Sequence, residues 1–320
     1  MAIVETANTF SKLVEVADSF IELERSGFED GHSGYHEVVS LLHQLCLSIE
    51  LTEKASYSRS DIEGALEPVC KLHSKSPFVY RMQTWPRGYP GDFETIEYLC
   101  EGTNKARPGT VEYFIEQHAL TCAITQQHRN KVAWQASRVL ETCLGSNEEC
   151  HVLSVACGGS RDLRSIQSLL KATPVQLLLN DIDADALTHS VNSLPHLAAK
   201  LHPVHGNVFS AVRTFKTQGP FDLIVAGGLF DYLSDRQVKW LLDKLARCLK
   251  IGGHLCFTNI ALGNPYRPWM DYVAHWRLIE RSEADFMSLI RAINVDISME
   301  VDISRDQTGL THLVELTRVA

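Results

Sequence analysis

Apolar residues change their spacing once along this chain, near residue 145. Before that point they recur at helical intervals. In NTFSKLVEVADSFIELER, the set Phe10, Leu13, Val14, Ala17, Phe20 and Ile21 lines one helical face. YHEVVSLLHQLCLSIEL repeats the pattern. SDIEGALEPVCKL opens with Ser60 three places before Glu63, the spacing of a capping box. One long helix is expected from Thr110 to Leu144. TWPRGYPGDFETIEYL, rich in proline, glycine and aromatics, is the one stretch of this half that does not read as plain helix.

After residue 150, short apolar runs alternate with helix-length segments. The runs are HVLSVA, VQLLLND, FDLIVAG and HLCFTNI, separated by helical patterns near 161–171, 184–194 and 236–249. Strands alternating with helices predict a parallel sheet covered on both faces. VDISMEVDIS and THLVELTRV follow each other closely, which predicts an antiparallel hairpin at the end of the sheet. The expected organisation is a helical domain over 1–145, acting as a cap or lid, and a Rossmann-like α/β domain over 146–320.

Composition narrows the function. The formal net charge is −9 and no basic run interrupts it, which argues against nucleic-acid or membrane-surface partners. The N-terminus carries acidic residues where a secretion signal would be basic, and no stretch approaches the ~18 apolar residues of a membrane span. A cytoplasmic protein is expected. Nine cysteines without a C-x-x-C pair read as reduced thiols. His32 with His36, and His202 with His205, lack a third ligand at sensible spacing, so no metal is expected.

The first strand runs into ACGGS, Ala156 to Ser160. Five small residues let a backbone approach a ligand closely, although a sharp strand-to-helix turn needs glycine too. In a doubly wound sheet this turn lies where ligands bind. The second strand ends in Asp181, where a carboxylate can accept hydrogen bonds from ribose hydroxyls, while Asp183 caps the next helix. HGNVFS places Asn207 where a side-chain amide could pair with an adenine edge. GPFDLIVAGGLFDYLSD is a strand entering a loop of glycines and aromatics, and CLKIGGHLCFTN is a helix end, a Gly-Gly turn and another strand.

These five features, in this order, resemble the class I S-adenosylmethionine-dependent methyltransferases over about residues 150–320. The family's first turn reads acidic-x-Gly-x-Gly-x-Gly. Here Ser154 stands at the acidic place, Ala156 at the first glycine and Ser160 at the third, and Gly158 alone matches. The acidic contact to the cofactor's amino group must therefore come from elsewhere. PRGYPGDFE, AGGLFDYLSD and NPYRPWMDYVAHWRLIERSEADF further resemble a bacterial subgroup that includes enzymes forming 3-hydroxy fatty acid methyl esters as signals.

The resemblance implies S-adenosylmethionine as co-substrate. The expected cofactor set is Arg87, Arg129, Ala156, Cys157, Gly158, Gly159, Asp181, Ile182, Asn207, Val208, Gly227 and Phe230. Arg129, with Asn130 on the helix ahead of the first strand, would meet the cofactor's carboxylate. Tyr89, Asp92 and Tyr232 are the expected catalytic groups, with Asp231 as a base or a cap. TWPRGYPGDF, holding also Trp85 and Phe93, is expected to fold over the cofactor as a lid. Asn264, Tyr266, Arg267, Trp269 and Tyr272 would line the acceptor pocket, and Trp276 anchors the core.

The reaction expected is methyl transfer to a carboxylate, oxygen or nitrogen of a small molecule, in specialised metabolism or signalling. One alternative is intramolecular cyclisation of the cofactor, giving azetidine-2-carboxylate and methylthioadenosine. It needs an apolar pocket that keeps the amine neutral. Another is a non-catalytic binding module, motivated by the weakened first turn.

Overall fold

The structure, a computed structural model, describes residues 2–28, 31–145, 148–293 and 297–320. The side chains of residues 2–7, 31 and 32 lie outside the description, and with them the His32 pairing. Residues 295 and 296 of the expected strand VDISMEVDIS lie outside it too.

The chain divides into two compact units. The first comprises 1–126 and 263–277, the second 127–262 and 278–320. The division therefore falls earlier than residue 145, and a late segment returns to the first unit.

The first unit is helical, as the 3.6-residue spacing predicts. Its helices are α1 (Ala2–Ser26), α2 (Gly31–Lys54), α3 (Arg59–His73), α4 (Pro77–Thr84), α5 (Phe93–Glu101) and α6 (Val111–Thr121). Leu13, Phe20, Leu45, Ile49, Ile62, Leu66, Val69, Phe78 and Ile115 are buried between them. The capping box of α3 is formed by Ser58 and Asp61, two places before the expected pair. Asp61 N–H donates to Ser58 Oγ at 3.1 Å, and Ser58 N–H to Asp61 Oδ2 at 3.2 Å. The single helix expected over 110–144 is two. Cys122, with extended ψ of 163°, separates α6 from α7 (Ala123–Leu144).

The segment 263–277 carries a short helix, α12 (Arg267–Tyr272). It is tied to the other helices by polar contacts. Arg59 pairs with Asp271 at 3.0 Å, and Glu53 binds Arg267 and accepts from Tyr272 Oη at 2.9 Å. Gln83 Nε2 donates to the Val273 carbonyl at 2.8 Å. At the centre of the unit the fully buried Glu116 carboxylate accepts four hydrogen bonds. The donors are Ser76 Oγ at 2.8 Å, Phe78 N at 3.2 Å, Tyr98 Oη at 2.7 Å and Lys105 N at 2.6 Å.

The second unit is built on a seven-stranded sheet. Its strands are β1 (Cys150–Val155), β2 (Val175–Asp181), β3 (Leu201–His205), β4 (Phe221–Ala226), β5 (Leu249–Ile260), β6 (Met299–Arg305) and β7 (Thr311–Arg318). The order is β3-β2-β1-β4-β5-β7-β6. The first five strands are parallel, and β7 lies antiparallel between β5 and β6, so the expected hairpin is present.

Period-two alternation sends side chains to both faces. Val152, Leu177, Leu179, Leu223 and Val225 pack with α7, α8 (Arg161–Leu170) and α9 (Ala184–Ser193). Leu153, Leu178, Ile224, Leu255 and Phe257 pack on the other face with α10 (Val208–Gln218), α11 (Asp235–Ala246) and α13 (Glu283–Arg291). The sheet is the doubly wound, Rossmann-like arrangement expected. Strand order reverses between β1 and β4, and ligands of such sheets bind beyond the carboxyl ends of the strands at that point. No helix among the described residues is long and apolar enough to cross a membrane.

Candidate active site

The turn after β1 is rigid. Ala156, Gly158 and Ser160 adopt φ of 49°, 52° and 48°. Glycine takes that conformation without strain, whereas each L side chain there costs roughly 1–2 kcal/mol. The surroundings hold the turn in place. Asp181 Oδ2 accepts from Gly158 N at 2.8 Å, and Ser190 Oγ donates to the Gly158 carbonyl at 2.7 Å. Asp181 Oδ1 accepts from Asp183 N at 2.9 Å. Burial raises the Asp181 carboxyl above the usual carboxylate range, against these backbone bonds. Burial likewise keeps the Cys157 thiol protonated, reinforced by the nearby carboxylates of Asp181 and Asp162.

The ends of β1 and β2 thus bring together Ala156, Cys157, Gly158, Gly159, Asp181 and Ile182. Ile182 is 57% exposed, and its carbonyl accepts from His205 Nε2 at 3.0 Å. Asp183 caps α9, accepting from Asp185 N at 2.9 Å. Asn207 caps α10, accepting from Phe209 N at 2.9 Å, and Val208 behind it is buried. Asn207 is exposed, so its capping oxygen leaves the amide nitrogen at the surface.

Beyond β4, Gly227 lies against a side chain of α7. A Cβ there would lie 2.6 Å from Gln135 Oε1 of α7. Phe230, expected beside the cofactor, is fully buried and stacks on Phe257 at 4.4 Å. Tyr232 beside it is 38% exposed. Asp231 is buried, with Oδ1 accepting from Ile260 N at 2.7 Å and Oδ2 paired with Lys131 Nζ at 3.3 Å. Arg129 and Asn130 lie on the same helix, both half-buried, and Asn130 Nδ2 donates to Asp306 Oδ2 at 2.8 Å.

In the first unit, Asp92, expected among the catalytic groups, is 1% exposed, caps α5 by accepting from Thr95 N at 2.9 Å, and pairs with Arg81 of α4 at 2.6 Å. Arg87 pairs with Glu94 at 3.5 Å and lies over the Phe93 ring at 5.0 Å. Tyr89 is half-buried. Trp85 donates through Nε1 to the His275 carbonyl at 3.1 Å. Of the residues expected around an acceptor, Arg267 and Tyr272 bind Glu53, while Asn264 and Trp269 are buried. Trp276 is buried, as a core anchor should be.

Sequence reasoning missed Lys131, Asp162, Arg281 and Glu116, all buried charges of helices or their flanks. Asp162, in the first turn of α8, is 5% exposed, and burial pushes its carboxyl from 3.8 up to about 6. Asp162 Oδ2 and Ser160 Oγ have no hydrogen-bond partner. Both flank the β1 turn, and a buried polar atom left without a partner is the mark of a place completed by a ligand or water. An acidic and hydroxyl donor set of this kind suits an adenosyl amino acid. Among the described residues no group of three or more His, Cys, Asp or Glu is placed to hold a metal ion.

Residues 153–255 match the family model described as methyltransferase domain. Comparison with curated protein sequences returns no match. Among solved structures, a possible exported protein from Bordetella parapertussis aligns with TM-score 0.57 and 17% identity, covering 99% of this chain and 96% of that one. Magnesium protoporphyrin IX methyltransferase from Synechocystis aligns with TM-score 0.46 and 11% identity, over 61% of this chain and 85% of that one. A TehB-like methyltransferase from Corynebacterium glutamicum aligns with TM-score 0.39 and 15% identity, over 61% and 96%. The stretch similar to a methyltransferase domain thus runs from within β1 to within β5 of the doubly wound sheet.

Proposed function

We propose that the protein transfers the methyl group of S-adenosylmethionine to a small-molecule acceptor, at a carboxylate, oxygen or nitrogen. The observation that carries this reading is the β1 turn. Three left-handed residues are held against Asp181 at the switch point of the sheet, beside the exposed Ile182. In this reading Asp181 accepts from the ribose hydroxyls, using carboxylate lone pairs not taken by Gly158 and Asp183. Ile182 offers its apolar side chain to the adenine, and the Asn207 amide faces the base edge. Ala156, Cys157, Gly158 and Gly159 let the backbone approach, and Gly227 keeps the far wall clear. The cofactor supplies an electrophilic methyl on a sulfonium. The protein's part is alignment of the acceptor in a site closed to water, which can lower the barrier by ~7–11 kcal/mol. Within the second unit, Tyr232 is the candidate group for handling the acceptor's proton, and Arg129 for anionic groups. The net charge of −9 supports a small acceptor over a nucleic acid.

The test is incubation with S-adenosylmethionine, alone and with metabolite fractions, followed by mass spectrometry. S-Adenosylhomocysteine with a methylated product supports the reading. Methylthioadenosine with a new amino acid, above a protein-free control, would replace it with cyclisation. Absence of cofactor binding by calorimetry would make the unit a binding module for something else.

A further inference from the structure

Three charged side chains of the second unit are buried about the ends of β4 and β5, and they differ in how fully they are bonded. Arg281 uses every N–H group. Its partners are Asp235 Oδ1, the Phe230 and Leu233 carbonyls, and Asn259 Oδ1. Asp231 gives one oxygen to Ile260 N and the other to Lys131. Lys131, 4% exposed, has that 3.3 Å contact as its one hydrogen bond among the described residues, so two of its ammonium hydrogens lack an acceptor. After β1, the neighbour of β4, Asp162 is 5% exposed with Oδ2 unbonded.

Asp162 follows β1 and Lys131 pairs with Asp231 after β4, the two strands between which strand order reverses. Asp162 directly follows the β1 turn. Lys131 lies one helical turn before Gln135, whose amide rests on Gly227 after β4. Buried charges with unused bonding capacity are costly unless a partner completes them. One cation and one anion at the ends of adjacent strands complement a zwitterion. We propose that Lys131 receives the α-carboxylate and Asp162 the α-ammonium of the methionine end of S-adenosylmethionine. The assignment rests on the cofactor reading above. It supplies the acidic contact missing at Ser154, and it moves the carboxylate contact from Arg129 to a residue two places on, around the other side of α7.

Calorimetry on the full chain with two probes tests it. S-Adenosylhomocysteine has the amino-acid end, and 5′-methylthioadenosine lacks it. The wild-type protein should bind the first at least about tenfold more tightly, the effect of one charge-assisted bond or more. Equal affinity for the two overturns the clamp without any variant being needed. Asp162→Asn, and the double variant Lys131→Met with Asp231→Asn, should each lose about tenfold or more for S-adenosylhomocysteine. The double variant removes the ion pair as a unit, so no buried charge is stranded. Affinity for methylthioadenosine should stay unchanged, which also reports that the fold is intact. Wild-type affinity for S-adenosylhomocysteine in the variants, or equal loss for both probes in a folded variant, overturns the assignment and leaves the cofactor reading standing. If the wild-type protein binds neither probe, the cofactor reading itself falls.

Discussion

The carboxylate of Asp181, at the end of β2, holds the backbone N–H of Gly158, at the end of β1, at 2.8 Å. One side chain therefore fixes two backbone amides, those of Gly158 and Asp183. Asp181→Ala would leave the Gly158 and Asp183 amides without their acceptor. It should lower stability by about 1–3 kcal/mol, and S-adenosylhomocysteine affinity with it. Urea unfolding and calorimetry on one preparation check both. A fully stable variant with undiminished affinity would remove Asp181 from the site.

Left-handed backbone at Ala156 gives a prediction of opposite sign. Ala156→Gly relieves roughly 1–2 kcal/mol of strain but adds about 0.5–1 kcal/mol of chain entropy to the unfolded state. A net gain of up to about 1 kcal/mol is expected, read as a higher urea midpoint. A loss would show that the methyl group makes a packing contact worth more than the strain.

Asp162 makes stability depend on pH. Its carboxyl is raised from 3.8 to about 6 by burial, so the folded protein binds a proton that the unfolded chain releases. Its contribution to stability is fully present below about pH 4 and is lost as pH rises through about 6. The difference amounts to about 3 kcal/mol. Asp162→Asn should therefore gain on the wild type at pH 7 and approach it at pH 4. Unfolding curves that stay a constant distance apart at all pH values would mean that Asp162 titrates normally.

Glu116 is the strongest structural prediction. Glu116→Ala strands four donors in the core of the helical unit and should destabilise it by at least about 3 kcal/mol. Tyr98→Phe removes one donor and should cost about 1.5–3 kcal/mol. Thermal unfolding followed by circular dichroism ranks the two, and a Tyr98→Phe cost equal to that of Glu116→Ala would contradict the shared-acceptor picture.

Continuous apolar strands such as VQLLLND were legible because burial on both faces leaves no polar alternation to confuse them. The strand β3 was not. Its sequence LHPVH is polar, mostly exposed and contains Pro203, which an edge strand tolerates. The break at Cys122 carries no glycine or proline to announce it. The Gly158 turn and Asp181 were readable from order along the chain, since both lie at strand ends. Phe230 and Asp92 drew attention because aromatic and acidic residues in unusual loops look like ligand contacts. The sequence Asp92-Phe93-Glu94-Thr95 was nonetheless an N-cap signal. Lys131 and Glu116 sit in periodic helices where a charge reads as a solvent face, and only tertiary packing buries them. Asp162 in a first helical turn reads as a partner of the helix dipole.

The return of residues 263–277 to the first unit has a consequence for synthesis. The helical unit begins first on the ribosome but is completed late. Glu53, Arg59 and Gln83 wait for Arg267, Asp271 and Val273 while 190 to 214 residues are translated, a delay of about 10–40 s at ~5–20 residues per second. A chain released at residue 145 would hold the helices without the strap that ties them, and a chain begun there would carry that strap with nothing to bind. Neither unit is a single continuous stretch of the gene.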